Sequence, residues 1–154
     1  MSNLARIARA VGQVGLGAAL LTAGTTHLTT AREEFQAQVP SWFPADPDVV
    51  VLVSGVAEIA LGAALVGTWK QPARAWVGAA AAAFFVAIFP GNIAQYVEGK
   101  DGFGLDTDTK RAVRLVFQPG LVAWALAATD APRTLVRGRG RGDGPSGDDR
   151  PTPA

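Results

Sequence analysis

Four long apolar segments, separated by short stretches that hold most of the charges, constrain this chain more than any other feature. They run over about 11–28, 49–68, 73–97 and 112–129. A helix needs roughly 20 mainly apolar residues to cross a bilayer, and all four segments meet or nearly meet that length. In a soluble bundle each helix would carry a polar face, but glycine and alanine fill those positions here. The pattern predicts an all-α fold, a bundle of four transmembrane helices.

The two ends of the chain lie outside these segments, at 1–10 and 130–154. Arg6 and Arg9 before the first segment also fit a signal peptide, but its apolar run exceeds the usual ~7–15 residues, so an uncleaved span is predicted. Beyond residue 130 the composition shifts to arginine, glycine, aspartate and proline, which predicts a disordered tail. Arg-Gly repeats like those in this tail also occur in RNA-binding segments. Beside a membrane, however, they favour attraction to anionic lipid, so no nucleic-acid partner is predicted.

Lysine and arginine are unequally divided between the two sides of the predicted bundle. Nine lie in the two ends and in the loop between the second and third segments, against five on the other side. By the positive-inside rule both termini are predicted to be cytoplasmic. The alanine-rich, arginine-preferring composition is typical of a bacterium with a high GC content, so the predicted location is the inner (plasma) membrane, as a multi-pass protein.

Several classes of site are excluded or disfavoured by composition. The chain has no cysteine, which excludes disulfides, iron–sulfur clusters and thiolate zinc sites. Its one histidine excludes a haem held by two histidines and makes a transition-metal site unexpected. The sequence holds no phosphate-binding glycine loop and no nucleophile elbow. We therefore predict no catalytic residue, no metal, no covalently bound cofactor and no independent catalytic activity.

Small residues and prolines predict how the helices meet. Spanning helices associate through residues that let their backbones approach, and Gly17 and Gly24 lie seven apart on one stripe of the first span. Pro90 and Pro119 lie inside the third and fourth spans, where each removes a backbone N–H. Pro90 thereby leaves the carbonyl of Val86 without its helical donor, so a neighbouring donor is expected there.

Polar side chains inside the predicted spans are the candidate site, because buried ionisable groups are costly in a membrane. Glu58 lies ten residues into the second span, at about 15 Å of rise and thus near the bilayer centre. With the predicted orientation the whole set lies between the midplane and the outer surface. Its members are His27, Glu58, Asn92, Gln95, Arg114 and Gln118.

Three interpretations of this set remain open at the level of sequence. It forms an outward-facing pocket for a ligand, or a path for protons or ions. Alternatively it is an internal network, in which Arg114 neutralises Glu58 and the amides satisfy the backbone broken at Pro90.

Five sequence elements, in this order, resemble the DoxX-like family of four-helix membrane proteins. The likeness covers roughly residues 10 to 130. The elements are His27 at the end of the first span, VPSWFP at 39–44, SGVAE at 54–58 followed by Gly62, FPGN at 89–92, and Arg114 with Gln118.

The resemblance implies an accessory or quinone- or lipid-binding subunit of a membrane redox assembly. It makes a quinone the candidate ligand, with a hydrogen bond to its carbonyl from His27, Arg114 or Gln118, and it makes redox subunits or further copies of the chain the candidate partners, besides the lipid bilayer. Relatives that handle thiol oxidation carry paired cysteines, which are absent here. The alternatives are a proton-coupled carrier of small solutes, with Glu58 as the protonation switch, and a purely structural membrane partner.

Overall fold

The protein is an all-helical bundle, in a computed structural model that describes residues 2–142, with side chains through residue 137. The described residues form four long and two short helices and no strand. The four long helices are each long and apolar enough to cross a membrane, which confirms the predicted fold class. The helices are α1 (Asn3–Leu28), α2 (Arg32–Gln36), α3 (Pro47–Gly67), α4 (Ala73–Val97), α5 (Asp108–Thr129) and α6 (Ala131–Gly142).

The helix boundaries follow capping residues more than they follow apolarity. Helix α4 coincides with the predicted segment. Helix α1 begins earlier than predicted, because the side chain of Ser2 accepts a hydrogen bond from the amide of Ala5 and so caps the helix. Helix α5 also begins earlier, where Thr107 accepts from the amide of Lys110. The charged flanks of two spans are therefore helical.

The segment after α5 corrects the prediction of a disordered tail. Residues Ala131–Gly142 form α6, so the prediction is wrong for this part, and the rest of the predicted tail, 143–154, lies outside the described residues. Asp130 takes a left-handed conformation with φ of 58°, which ends α5, and Ala131 is then fully buried against the bundle. The carboxylate of Asp130 also lies 3.2 Å from the guanidinium of Arg9. The composition did not predict this helix, because the helix depends on contacts with residues that are distant in the sequence.

Helices α1 and α3 pack closely and antiparallel through two pairs of glycines. A Cβ added at Gly24 would lie 2.5 Å from the carbonyl oxygen of Gly55, and one added at Gly17 would lie 2.9 Å from that of Gly62. No side chain fits between backbones at that separation. The predicted glycine stripe of α1 is thus in contact with a matching stripe of α3.

The end of the bundle that holds both described termini is fastened by buried polar contacts. The side chain of Gln13, fully buried, donates to the carbonyls of Leu65 at 2.6 Å and Thr68 at 2.8 Å. These carbonyls belong to the end of α3, where helical donors run out. In the same way Gln71 donates to Thr129, at the end of α5.

At the opposite end, the two longer connections fold over the bundle and contact each other. The chain between α1 and α3 carries α2, and the chain between α4 and α5 forms a loop at 98–107. Arg111 holds this loop: its guanidinium donates to the carbonyls of Gly99 and Lys100 and to the carboxylates of Asp101 and Asp108. Together the two connections roof the interior of the bundle at this end.

Candidate functional site

A cavity of about 370 Å³ lies beneath this roof, between the four long helices. Its walls are mostly apolar and include Leu20 of α1, Phe85 of α4 and Leu121 of α5. Its polar lining consists of His27, Ser54, Glu58, Arg114 and Gln38. Three of the six residues that the sequence singled out therefore meet at one cavity, namely His27, Glu58 and Arg114.

His27 and Glu58 form a close, buried pair at the cavity. Each residue is only 6% exposed, and His27 Nδ1 lies 2.6 Å from Glu58 Oε2. The same nitrogen lies 2.9 Å from the carbonyl oxygen of Ala23. One ring nitrogen holds at most one proton, so it cannot donate a full hydrogen bond to both oxygens.

The pair leaves Glu58 short of a partner. Among the described residues, Glu58 Oε2 has no hydrogen-bond partner besides this contact with His27, whose Nδ1 also faces the carbonyl of Ala23. A buried oxygen without a donor is costly, more so for a carboxylate in an apolar interior. Because Glu58 lines the cavity, a hydroxyl or amide group of a bound molecule could supply that donor.

Two aromatic side chains cover the histidine from the roof. The ring of Phe35, in α2, stacks on that of His27 with a centroid separation of 3.3 Å and an interplanar angle of 28°. The ring of Phe103, in the 98–107 loop, meets Phe35 edge-on at 4.3 Å. The amide of Phe103 in turn donates to the carboxylate of Glu34 at 2.8 Å. Both connections therefore take part in closing the cavity above His27.

A second contact between the two connections centres on Glu98. Its carboxylate accepts from the amide and hydroxyl of Ser41 and lies 2.7 Å from Lys100 Nζ, which donates to the carbonyl of Val39. The hydrogen bond from Lys100, followed by that from the Ser41 amide, lowers the pKa of the Glu98 carboxyl from its ordinary value.

We expect this contact to loosen in acid. Because the pKa of Glu98 is lowered in the folded protein, its stabilising contribution is complete above the ordinary carboxyl pKa of about 4.3 and is lost as the pH falls through the lowered value. Amide hydrogen exchange at 39–43 and 98–103, corrected for intrinsic rates, should rise over that pH range in the native sequence. In Glu98→Gln the dependence should be absent. If hydrogen exchange depended equally on pH in both proteins, a group other than Glu98 would be responsible.

Arg114, Gln118 and Asn92 form a separate network beside the cavity. The side-chain oxygen of Gln118 accepts from Asn92 at 3.1 Å and from Arg114 at 3.2 Å, and its nitrogen donates to the carbonyl of Phe85 at 2.5 Å. Gln118 thus donates to the carbonyl of Phe85, one residue before the Val86 carbonyl that loses its helical donor at Pro90. The network joins α4 to α5 where Pro90 interrupts the first of them.

Glu58 and Arg114 each have a different close partner in this arrangement. Arg114 and Glu58 both line the cavity, but they form no ion pair within the described residues, where Glu58 faces His27 and Arg114 donates to Gln118. Arg114 and Glu58 are within electrostatic range of each other, so neutralisation of one by the other stays a prediction, although their charged groups form no direct ion pair. The reason is geometric: His27 is brought to Glu58 by the close α1–α3 packing.

Gln95 lies apart from the cavity. It is 1% exposed, and its Nε2 has no hydrogen-bond partner in the described part of the chain. This nitrogen lies 3.3 Å from where a Cβ of Gly102 would be, so the side chain is beneath the 98–107 loop. Within residues 2–142 no group of three or more metal-binding side chains is found.

Sequence reasoning missed the aromatic cover and Gln38. Phe35 and Phe103 each stand among charged residues in connections that were predicted only as loops. An aromatic residue in such a polar segment is a signal that it packs on something. The sequence alone did not indicate what that was.

The fold and the cavity together define a multi-pass membrane protein. Its pocket has mostly apolar walls and a few polar groups, and it lies between four helices that are long and apolar enough to cross a membrane. A family of proteins described as "Domain of unknown function (DUF8561)" matches residues 16–129, and the chain belongs to that family. No curated protein matches the chain. No solved structure matches it.

Proposed function

We propose that the protein binds a small amphipathic ring compound, of the quinone and quinol class, in the cavity at His27, Glu58 and Arg114. The observation that carries the proposal is the buried carboxylate of Glu58, which lines the cavity and whose Oε2 has no hydrogen-bond partner besides its contact with His27 among the described residues. In this proposal the protein is an accessory or ligand-binding subunit of a membrane redox assembly.

The cavity suits such a ligand in size and in chemistry. Its volume of about 370 Å³ lies within the range of small-molecule sites, which are mostly apolar with a few placed polar groups. Glu58 supplies an acceptor for a ring hydroxyl. Arg114 has five N–H donors and, in the described part of the chain, donates only to Gln118, so others remain to donate to the second ring oxygen. The quinol form satisfies both residues, because the hydroxyl at one side of its ring donates to Glu58 and the oxygen at the other side accepts from Arg114.

The position of the cavity supports entry from the membrane. Ala19 of α1 lines the cavity and is exposed, so the cavity is open beside α1. Helices α1 and α5 contact each other nearer the termini, where the indole of Trp124 donates to the carbonyl of Gly12. A lipophilic molecule that is dissolved in the bilayer would thus reach the polar groups without crossing water.

The membrane, the orientation and the wider family belong to the same proposal. The lysine and arginine distribution supports cytoplasmic termini in a bacterial plasma membrane. The ordered elements His27, SGVAE at 54–58, FPGN at 89–92 and Arg114 with Gln118 support a relationship to the DoxX-like family. That relationship is what favours redox subunits as partners.

Mass spectrometry of molecules that co-purify with the tagged protein in mild detergent tests the proposal. We expect a quinone with the native sequence and at least tenfold less with Glu58→Ala/Arg114→Ala, because both polar anchors are removed. The matched control is Asp106→Ala/Lys110→Ala, which removes an exposed ion pair outside the cavity. Only bulk lipid with all three proteins would contradict the proposal and would favour a proton-coupled carrier or a structural partner.

A further inference from the structure

Three arginines surround one carboxylate at the end of the bundle opposite the cavity. Asp130 lies 3.2 Å from Arg9 of α1 and 3.8 Å from Arg133 of α6. Arg74 of α4 is within electrostatic range of both Arg9 and Asp130 and donates to the carbonyl of Ala128. Among the described residues at this site one carboxylate faces three guanidinium groups, so the described part of this end carries an excess of positive charge.

Helix α6 adds to that excess. Its sequence has no acidic residue and places arginine at 133, 137, 139 and 141. Arg133 and Arg137 lie one turn apart and are exposed. On the face roughly opposite, Ala131 is fully buried and Leu135 is half-buried. The helix therefore turns an apolar side toward the bundle and a basic side away from it.

The location of α6 is the boundary between membrane and water. It follows a spanning helix after the single turn residue Asp130, so it begins where α5 ends. Trp69 and Lys70, in the connection between α3 and α4 at the same end, are exposed, as side chains at the headgroup level commonly are. Val136 of α6 is 72% exposed beside the arginines, a combination typical of interfacial helices.

We propose that α6 and the arginines around Asp130 form a binding surface for acidic phospholipid headgroups, on the leaflet next to the two termini. Guanidinium groups bind phosphodiesters through charge-assisted hydrogen bonds, and the exposed Val136 inserts between the lipids. The surface is independent of the cavity at Glu58. It holds the end of α5 in a fixed position relative to the membrane surface.

The absence of cysteine offers a direct test, since Val136→Cys creates a single labelling site in the full chain. The protein is labelled there with an environment-sensitive dye and reconstituted in vesicles of phosphatidylcholine with increasing phosphatidylglycerol. We expect a blue shift of the emission that grows with phosphatidylglycerol and is reversed at high salt. Each basic residue near the surface adds about 1 kcal/mol, so removing one arginine should weaken the response roughly fivefold.

The control variants separate a local basic surface from net charge. In the labelled background Arg137→Gln should reduce the response, whereas Lys110→Gln, which removes one positive charge at the other end, should leave it unchanged. An equal shift in phosphatidylcholine alone, no shift in any vesicle, or an equal loss in both variants would overturn the proposal. So would a response to added RNA that exceeds the response to acidic lipid.

Discussion

Gly24→Ala is expected to lower the free energy of unfolding by about 2–3 kcal/mol, the upper part of the range for overpacked cores. Its new Cβ would lie 2.5 Å from the carbonyl oxygen of Gly55, 2.8 Å from Ile59 Cγ1 and 3.0 Å from Glu58 Cβ. The first of these atoms is backbone, so α1 and α3 must separate for the methyl group to fit. The measurement is reversible unfolding in mixed detergent micelles, followed by circular dichroism.

The matched control for this prediction is Gly120→Ala. Gly120 is also a glycine in a spanning helix, but an added Cβ there meets no atom within 4 Å. Its substitution should leave stability unchanged or raise it, since alanine favours helix. Equal destabilisation by both variants would show that glycine matters for helix flexibility and not for the α1–α3 contact. An unchanged stability in Gly24→Ala would contradict the close packing itself.

This contact also explains how much of the candidate site was predictable from the sequence. The spacing of Gly17 and Gly24 predicted a packing stripe on α1, and His27 follows on the same face. The stripe meets Gly55 and Gly62 of α3, which places His27 beside Glu58. The four spans were predictable from the length of the apolar segments. In a membrane every backbone polar group must be paired within its own helix, so a long apolar segment can cross only as a helix.

The parts that sequence reasoning missed depend on contacts between distant segments. The position of Phe35 over His27 follows from how α2 turns back over the bundle, and Phe103 comes from a loop that Arg111 holds in place. Neutralisation of Glu58 by Arg114 was one of three interpretations that the sequence left open, because opposite charges in a membrane attract. Spacing along a helix defines a face but does not define the rotamer, and Arg114 meets Gln118 one turn away on its own helix instead.

Two buried glutamines also show that a polar residue in a span does not reveal its contacts from the sequence. Gln13 was not predicted to belong to any site, yet it is fully buried and donates hydrogen bonds to two carbonyls at the end of α3. Gln95 was grouped with the site, yet it lies beneath the 98–107 loop. A side-chain amide in a spanning helix can either stabilise the packing of helices or line a site. Which of the two it does depends on the groups that lie next to it in the folded protein. Of the buried polar set, Glu58 combines a carboxylate whose Oε2 has no hydrogen-bond partner besides its contact with His27 with a place in the cavity wall, so it is the residue that most favours a ligand.

Ala19→Trp is the substitution expected to affect ligand binding most while it keeps every polar group. Ala19 lines the cavity and is exposed on the side of α1, so an indole there would fill the opening and part of the volume without disturbing the core. We expect affinity for decylubiquinol, measured by anaerobic equilibrium dialysis in detergent, to fall at least thirtyfold, about 2 kcal/mol. The midpoint of thermal unfolding should stay within a few degrees of that of the native sequence.

The neighbouring variant Ala18→Trp makes this result specific to the cavity. Ala18 is exposed on the same turn of α1 but does not line the cavity, so the same indole should there face lipid and leave the affinity unchanged. Equal binding to the native protein and both variants would place decylubiquinol outside the cavity. Loss of binding in Ala19→Trp together with retention in Glu58→Ala/Arg114→Ala would mean that the cavity selects by shape, with its polar groups serving the fold. Loss in both, with retention in Ala18→Trp, is the outcome expected if the ring is held between Glu58 and Arg114 after entry beside α1.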